Sequence, residues 1–176
     1  VAFQKACQKV AVAPILGMTL TVRLPDALVA DGSPDQLVLI ACGPAGYRSL
    51  CRLSSHIQAS PEREVLAKQG VPWSLLKEQH EGLVCIAGGR RSRLEQWWRS
   101  GDQKQAIMYA SHLAGLFDEQ LYLALEIHQR ADVEVAKEIT RLGKRFGLPT
   151  VAVQPIYCLA PQERPRLRLL AAIDRN

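Results

Sequence analysis

The sequence contains no long apolar segment of the kind that crosses a membrane. Its best candidates, residues 10–16 and 37–42, fall far below the roughly 18 residues of a spanning helix, and Pro14 interrupts the first. The first residues also lack a basic stretch followed by an apolar one, so they do not resemble a signal peptide. We therefore expect no membrane attachment and a cytoplasmic location.

The cysteines show none of the spacings that hold zinc or mark a disulfide framework. They are five in number, widely separated, and include no Cys-x-x-Cys pair. Each lies within an apolar stretch, which predicts small buried thiols in a reducing compartment. The positions are Cys7, Cys42, Cys51, Cys85 and Cys158.

Aromatic residues are scarce, but the composition is otherwise that of an ordinary globular protein. Of 176 residues, 48% are hydrophobic and 22% charged, which excludes a disordered or fibrous chain. This length suits a single domain over residues 1–176, and no internal repeat is visible. The net charge of +5 would suit contact with nucleic acid or an acidic protein, although many domains of similar charge bind neither.

Short aliphatic segments alternate with longer amphipathic ones, which is typical of an α/β fold. Most of the short segments are apolar throughout, so we expect strands buried on both faces. The predicted strands are residues 15–23, 36–42, 82–87, 120–127 and 149–153. The predicted helices are residues 1–9, 45–57, 73–79, 92–99, 103–117, 133–146 and 161–173.

Helix-terminating residues support this assignment. Asp102 and Asp132 are predicted N-caps of the helices that follow them, and Gly147 ends the second of these helices. Two segments are predicted to be irregular. Residues 31–35 are rich in turn-forming residues, and residues 58–70 are polar without clean periodicity, which indicates a loop insertion.

The sequence contains none of the established catalytic motifs that we tested. The glycine-containing segments 42–46 and 87–91 lack the spacing of a phosphate-binding loop, although either could present backbone N–H groups to an anion. The histidines share no ligand spacing. His128 directly follows a predicted strand, where barrel enzymes carry their chemistry, so a functional and a structural role both stay open for it.

Two adjacent tryptophans stand among arginines. Such rings and guanidinium groups can stack on bases and bind phosphates. Neighbouring residues on a helix point about 100° apart, so at most one ring is expected to face the core, and the other to lie at an interface. Packing and nucleic-acid contact are thus two interpretations of this cluster. It consists of Arg90, Arg91, Arg93, Trp97 and Trp98.

Several segments occur in an order that resembles a known family. A helix-to-strand passage at residues 6–17 precedes the aliphatic strand 37–41 and a Tyr-Arg-x-Leu-Cys-Arg-Leu block at residues 47–53. Further segments follow at residues 73–78, 81–85, 117, 122–125, 147–152 and 169–173. Together they resemble, over nearly the whole chain, the PHP (polymerase and histidinol phosphatase) domain of bacterial DNA polymerase III alpha subunits.

This resemblance implies a partial, distorted (βα)7 barrel. Members of the family bind metal ions at the carboxyl ends of the barrel strands. The chain is similar to the later two-thirds of that domain. The family's opening His-x-His strand and the following Thr-Asp-His segment have no counterpart in the sequence. We therefore expect an amino-terminally incomplete PHP domain.

The family's metal positions can be compared with this chain one at a time. Where metal-binding members carry glutamate, histidine, cysteine or aspartate, the chain has threonine, glutamine, glycine, proline and tyrosine, and one histidine survives. A hydrolytic metal centre needs several His, Asp and Glu donors, so the site is expected to be vestigial. Its positions are Thr19, Gln36, Gly89, His128, Pro155 and Tyr157.

The resemblance therefore implies a degenerate, non-hydrolytic PHP segment of a polymerase III alpha-like protein, with a structural and protein-docking role in DNA replication or translesion synthesis. No cofactor is expected. The expected partners are the polymerase domain of the parent protein, a proofreading exonuclease subunit or other replisome proteins. Only weak, non-specific DNA binding is expected, and no membrane contact.

Two alternatives stay open. One is a stand-alone PHP phosphoesterase, in which missing amino-terminal ligands complete a Zn, Mn or Fe site. The other is a nucleic-acid-binding module built on the arginine and tryptophan cluster. Measured metal content and phosphatase activity would separate the first alternative from the scaffold interpretation.

Overall fold

A single mixed β-sheet organises the computed structural model, which describes residues 2–25, 28, 33–154, 156, 158 and 160–173. The spatial order of its six strands is β3-β1-β2-β4-β5-β6. They are β1 (Gly17–Arg23), β2 (Pro34–Ala41), β3 (Val71–Pro72), β4 (Leu83–Gly88), β5 (Leu121–Leu125) and β6 (Thr150–Ala152).

The helices fall between and after these strands, as the alternating sequence pattern predicts. They are α1 (Ala2–Lys9), α2 (Gly43–Ala59), α3 (Arg63–Gln69), α4 (Trp73–Glu78), α5 (Arg93–Ser100), α6 (Gln103–Phe117), α7 (Arg130–Phe146) and α8 (Arg164–Ile173). Within the described ranges, no helix combines the length and apolarity needed to cross a bilayer.

The strand directions divide the sheet into two parts. β1 and β4 both run antiparallel to β2, whereas β4, β5 and β6 are mutually parallel. β3 pairs with β1 at only two positions. In the part of the chain that is described, β3 and β6 end the sheet without pairing with each other, so it forms an open α/β sheet.

The helices cover one face of this sheet. Helices α2, α5, α6 and α7 contact the central strands, where Leu37, Leu39 and Leu123 are fully buried. On the opposite face Val38 is 40% exposed, and we call this surface the open face. The expectation of strands buried on both faces is therefore wrong, because a run of aliphatic residues does not reveal which side another element covers.

Two segments predicted to be irregular contain regular structure. Residues 58–70 include α3, which has no buried residue, and so it leaves no apolar period in the sequence. Pro34 and Asp35, at the end of the predicted turn 31–35, begin β2. A proline is tolerated as the first residue of a strand. Because proline also marks turns, Pro34 led to the prediction of a turn where β2 begins.

The cysteine expectation is only partly correct. Cys7 and Cys85 are buried free thiols, but Cys42 and Cys51 are exposed and Cys158 is half-buried. Cys42 immediately precedes α2, and Cys51 lies on its exposed side. Apolar neighbours in sequence therefore did not predict burial, since adjacent helix positions face different directions.

A buried carboxylate connects β2 to two helices. The Asp35 side chain accepts hydrogen bonds from the Tyr109 hydroxyl of α6 at 2.6 Å and from the Arg93 N–H of α5 at 2.9 Å. It also accepts one from the Gln36 N–H at 2.8 Å. Burial raises the pKa of Asp35, although these hydrogen bonds oppose the rise.

We expect Tyr109→Phe to lower the free energy of unfolding by about 1–3 kcal/mol, because the buried Asp35 carboxyl loses a hydrogen-bond donor while the packing volume is almost unchanged. Urea unfolding measures this loss. Tyr122→Phe removes the same atom from a half-buried residue and serves as the control, with little expected effect. Equal losses in the two variants would contradict a special role for the Asp35 contact.

Candidate functional site

A cavity of about 890 Å³ lies on the open face of the sheet. Its walls come from the strands β1, β2, β4 and β5 and from the segments that follow β4, β5 and β6. It is lined by Thr19, Gln36, Val38, Ile86, Gly88, Gly89, Arg90, Arg91, Ser92, Ala124, Glu126, His128, Val153, Gln154 and Ile156.

Most of the positions selected from the family resemblance meet in this cavity. Thr19, Gln36, Gly89 and His128 lie far apart in sequence and line the same space. Pro155 and Tyr157 lie outside the described residues. The fold therefore brings together these four positions, which the family resemblance assigns to one metal site.

Only two metal-ligating side chains line the cavity among the described residues, and they bind each other. His128 Nε2 donates to Glu126 Oε1 at 2.5 Å, and the second carboxylate oxygen accepts the Arg90 N–H at 2.9 Å. Burial would raise the pKa of Glu126, but these two hydrogen bonds lower it overall. Glu126 is a site residue that the family resemblance did not identify. Its position directly after β5 is the feature of the sequence that could have identified it.

These residues do not fit a hydrolytic metal centre. Within the described part of the chain, no group of three or more His, Cys, Asp or Glu side chains is placed to hold a metal ion. Both oxygens of Glu126 are already engaged, and Thr19, Gln36 and Gly89 offer no strong ligand. We therefore assign no chemical step to a metal at this site.

Gly89 lets the Glu126 carboxylate approach the backbone closely. Its φ of 86° lies in the left-handed region, and an added Cβ would stand 2.7 Å from Glu126 Oε2. The residue after it donates its N–H to the same oxygen. The Glu126 carboxylate thus binds a backbone N–H of segment 87–91, which the sequence indicated as a possible anion site.

Asp132 holds the segment that carries His128. Its side chain is inaccessible to solvent and accepts hydrogen bonds from the His128 N–H at 3.0 Å and the Gln129 N–H at 3.1 Å. Arg99 binds the other oxygen at 2.9 Å. The hydrogen bond from the His128 N–H lowers the pKa of Asp132 to about 2, and the contacts with Arg99 and Gln129 act in the same direction.

The predicted N-cap role of Asp132 needs a correction. Helix α7 begins at Arg130 rather than at residue 133, so Asp132 lies within the first turn and binds backwards to the preceding N–H groups. The prediction for Asp102 agrees with the structure, where its side chain accepts the Gln105 N–H at 3.2 Å. Both carboxylates stabilise helix starts, but from different positions.

The arginine and tryptophan cluster is divided by the fold. Arg90 and Arg91 line the cavity, whereas Trp97 packs edge-on against Tyr109 with ring centroids 5.8 Å apart. Trp98 is also half-buried against the core. Because α5 contacts the sheet, α6 and α7, both rings pack partly against the core rather than one of them, and a role of either ring at an interface stays a prediction.

The remaining arginine of this cluster also lies against the tryptophan side. The guanidinium carbon of Arg93 stands 6.0 Å from the centre of the Trp97 ring, within the range of a cation–π contact. Stacking of bases on Trp97 or Trp98 would require displacement of these contacts. Nucleic-acid contact through the rings stays a prediction without structural support, while the two cavity arginines are accessible.

Comparison with known proteins identifies one protein family and several DNA polymerases to which this chain is similar. Residues 1–129 match the PHP domain family. The chain is 25% identical to DNA polymerase III subunit alpha of Bacillus subtilis (strain 168), over 97% of this chain and 14% of that protein. It is 29% identical to the subunit alpha of Halalkalibacterium halodurans, over 98% of this chain and 14% of that protein. It is also 26% identical to the error-prone DNA polymerase of Symbiobacterium thermophilum, over 89% of this chain and 15% of that protein.

We expect Gly89→Ala to destabilise the protein more than Gly101→Ala. The two glycines have nearly equal φ values, 86° and 85°, but nothing lies within 4 Å of a Cβ at Gly101, whereas Glu126 obstructs one at Gly89. Backbone strain alone should cost Gly101→Ala about 1–2 kcal/mol. Thermal and urea unfolding measure both variants, and equal costs would contradict the expected obstruction of the added Cβ by Glu126.

We expect the stabilisation from Asp132 to be lost in acid. Its pKa falls from the ordinary 3.8 to about 2 on folding, so its contribution is complete above about pH 4 and disappears as the pH falls towards 2. The difference in melting temperature between the wild type and Asp132→Asn should narrow over that range. Asp102→Asn replaces one good N-cap with another and should differ little from the wild type at any pH. A constant difference for Asp132→Asn would contradict the assignment.

Proposed function

Because the chain belongs to the PHP domain family, we propose that it is a non-hydrolytic PHP segment that acts as a structural and docking element of a DNA polymerase III alpha-like protein. It spans only 14–15% of the length of these polymerase relatives. Nucleotidyl transfer is therefore proposed to belong to other parts of a parent protein, and we place the role in DNA replication or translesion synthesis in the cytoplasm.

The chemistry of the cavity is the observation that supports the absence of hydrolysis. Hydrolysis of a phosphoester by a metal centre requires several anionic or imidazole ligands around an activated water. In the described cavity Glu126 and His128 satisfy each other at 2.5 Å, and the neighbouring positions are Thr19, Gln36 and Gly89. Because these two side chains bind each other, neither is free to act as a general base or a nucleophile.

Exposed apolar surface supports the docking part of the proposal. Val38 on the open face is 40% exposed, and Leu169, Leu170 and Ile173 on α8 are 63–64% exposed. Apolar patches of this kind commonly mark surfaces that another protein or domain covers. We propose the polymerase domain as the principal partner, with a proofreading exonuclease subunit or other replisome proteins as further candidates.

We expect the purified chain to retain no stoichiometric Zn, Mn or Fe, and to show the same melting temperature with and without a chelator, because the cavity lacks a sufficient donor set. Metal analysis and thermal unfolding test this. It should also fail to hydrolyse p-nitrophenyl phosphate in the presence of Mn²⁺. His128→Ala and His56→Ala each remove one imidazole, and neither should change metal content.

The opposite result would favour a phosphoesterase. Stoichiometric metal that persists in His56→Ala, where the imidazole is exposed on α2, but is lost in His128→Ala would overturn the proposal. Hydrolysis that depends on the same histidine would do so as well. Metal analysis of a longer gene product would then identify the additional ligands.

A further inference from the structure

A second cavity adjoins the first and has a different charge. It has a volume of about 500 Å³ and lies between α3, the paired strands β1 and β2, and the segment that leads into α5. Its described lining contains three cationic side chains and no carboxylate. The lining residues are Thr21, Pro34, Gln36, Ala67, Lys68, Arg90, Arg91 and Gln96.

We propose that this cavity binds a phosphate group directly through Lys68, Arg90 and Arg91, without a metal ion. Guanidinium groups bind phosphate oxygens with paired, charge-assisted hydrogen bonds, and a lysine adds a third positive charge. Thr21 and Gln36, which are opposite each other in the β1–β2 register, add a hydroxyl and an amide to the same wall. The ligand class is a phosphate, either free or in a nucleic-acid backbone.

The backbone that carries the two arginines is held in place. The Arg90 N–H donates to Glu126 at 2.9 Å, and the Arg91 carbonyl accepts from the Gln96 side chain at 3.1 Å. Two residues further, the Arg93 N–H donates to the buried Asp35. Because the segment is fixed on both sides, little backbone ordering is needed when an anion binds.

Two of the three positive charges in this cavity have no acidic partner among the described residues, and the third, Arg90, lies near Asp132 and Glu126. Neither Lys68 nor Arg91 forms an ion pair with any residue in the described ranges. Arg90 lies 3.9 Å from Asp132, but Asp132 is more closely engaged by Arg99 at 2.9 Å. The cavity therefore keeps an unbalanced positive charge that attracts anions.

This site is separate from the Glu126–His128 pair and does not depend on the proposed scaffold role. It shares Gln36, Arg90 and Arg91 with the larger cavity, but Lys68 and Thr21 belong to the smaller one. Binding is tested in EDTA, so a metal-bridged phosphate at the family's site cannot produce the signal. Loss of the scaffold role would leave the prediction unchanged.

The experiment compares phosphate and DNA binding by the full 176-residue chain and three variants. Inorganic phosphate is titrated by calorimetry, and a short single-stranded DNA by fluorescence anisotropy, both in EDTA. Arg91→Gln and Lys68→Gln should each weaken binding about tenfold, because each removes a charge-assisted contact. Arg48→Gln makes the same charge change on α2, which packs on the covered side of the sheet, and should bind like the wild type.

The two probes distinguish the sources of the phosphate. Phosphate binding without DNA binding indicates a free ligand, whereas DNA binding that phosphate displaces indicates a nucleic-acid backbone. In the DNA case, each lost contact should also reduce the slope of log K against log salt by about 0.7, the value for single-stranded DNA. A wild type that binds neither probe, or variants that weaken binding no more than Arg48→Gln, would overturn the proposal. Unchanged melting temperatures confirm that the variants are folded.

Discussion

Hydrogen bonds from backbone N–H groups to three carboxylates hold the functional edge of this sheet together. Asp35 binds the start of α5, Glu126 binds the segment before it, and Asp132 binds the segment after β5. The surroundings of Asp35 and Asp132 shift their pKa values in opposite directions. Burial raises the pKa of Asp35 against its hydrogen bonds and the charge of Arg93, whereas the His128 N–H and Arg99 hold the pKa of Asp132 at about 2. If these contacts fail, the residues lining both cavities lose their fixed positions.

The same contacts decide what chemistry the open face can perform. Glu126 is committed to the Arg90 N–H and to His128, so a carboxylate that could serve a metal instead fixes a loop. Gly89 permits this approach because it has no Cβ. Among the described residues, this surface therefore offers too few side chains to hold a hydrolytic metal centre, while Arg90 and Arg91 supply positive charge.

Membership of the PHP family and the open sheet fit together. Helices α2, α5, α6 and α7 cover one face of the sheet, and the cavity lined by Thr19, Gln36, Gly89 and His128 lies on the other. Apolar residues such as Val38 remain accessible there. Surfaces of this kind allow a domain to act by contact with other proteins, which is the basis of the proposed structural role beside a polymerase.

Local sequence patterns determined the order and type of most elements, since periodicity, caps and breakers act within a few residues. Predicted helix 103–117 coincides with α6, and the order of the segments already indicated a PHP domain. Tertiary structure alone decided which sheet face is covered, that both Trp97 and Trp98 pack inward, and that Lys68 joins Arg90 and Arg91. The physical reason is separation along the chain: Tyr109 and Asp35 are 74 residues apart, and Arg90 and Glu126 are 36 apart. Such contacts exist only after distant elements pack, so no local pattern records them.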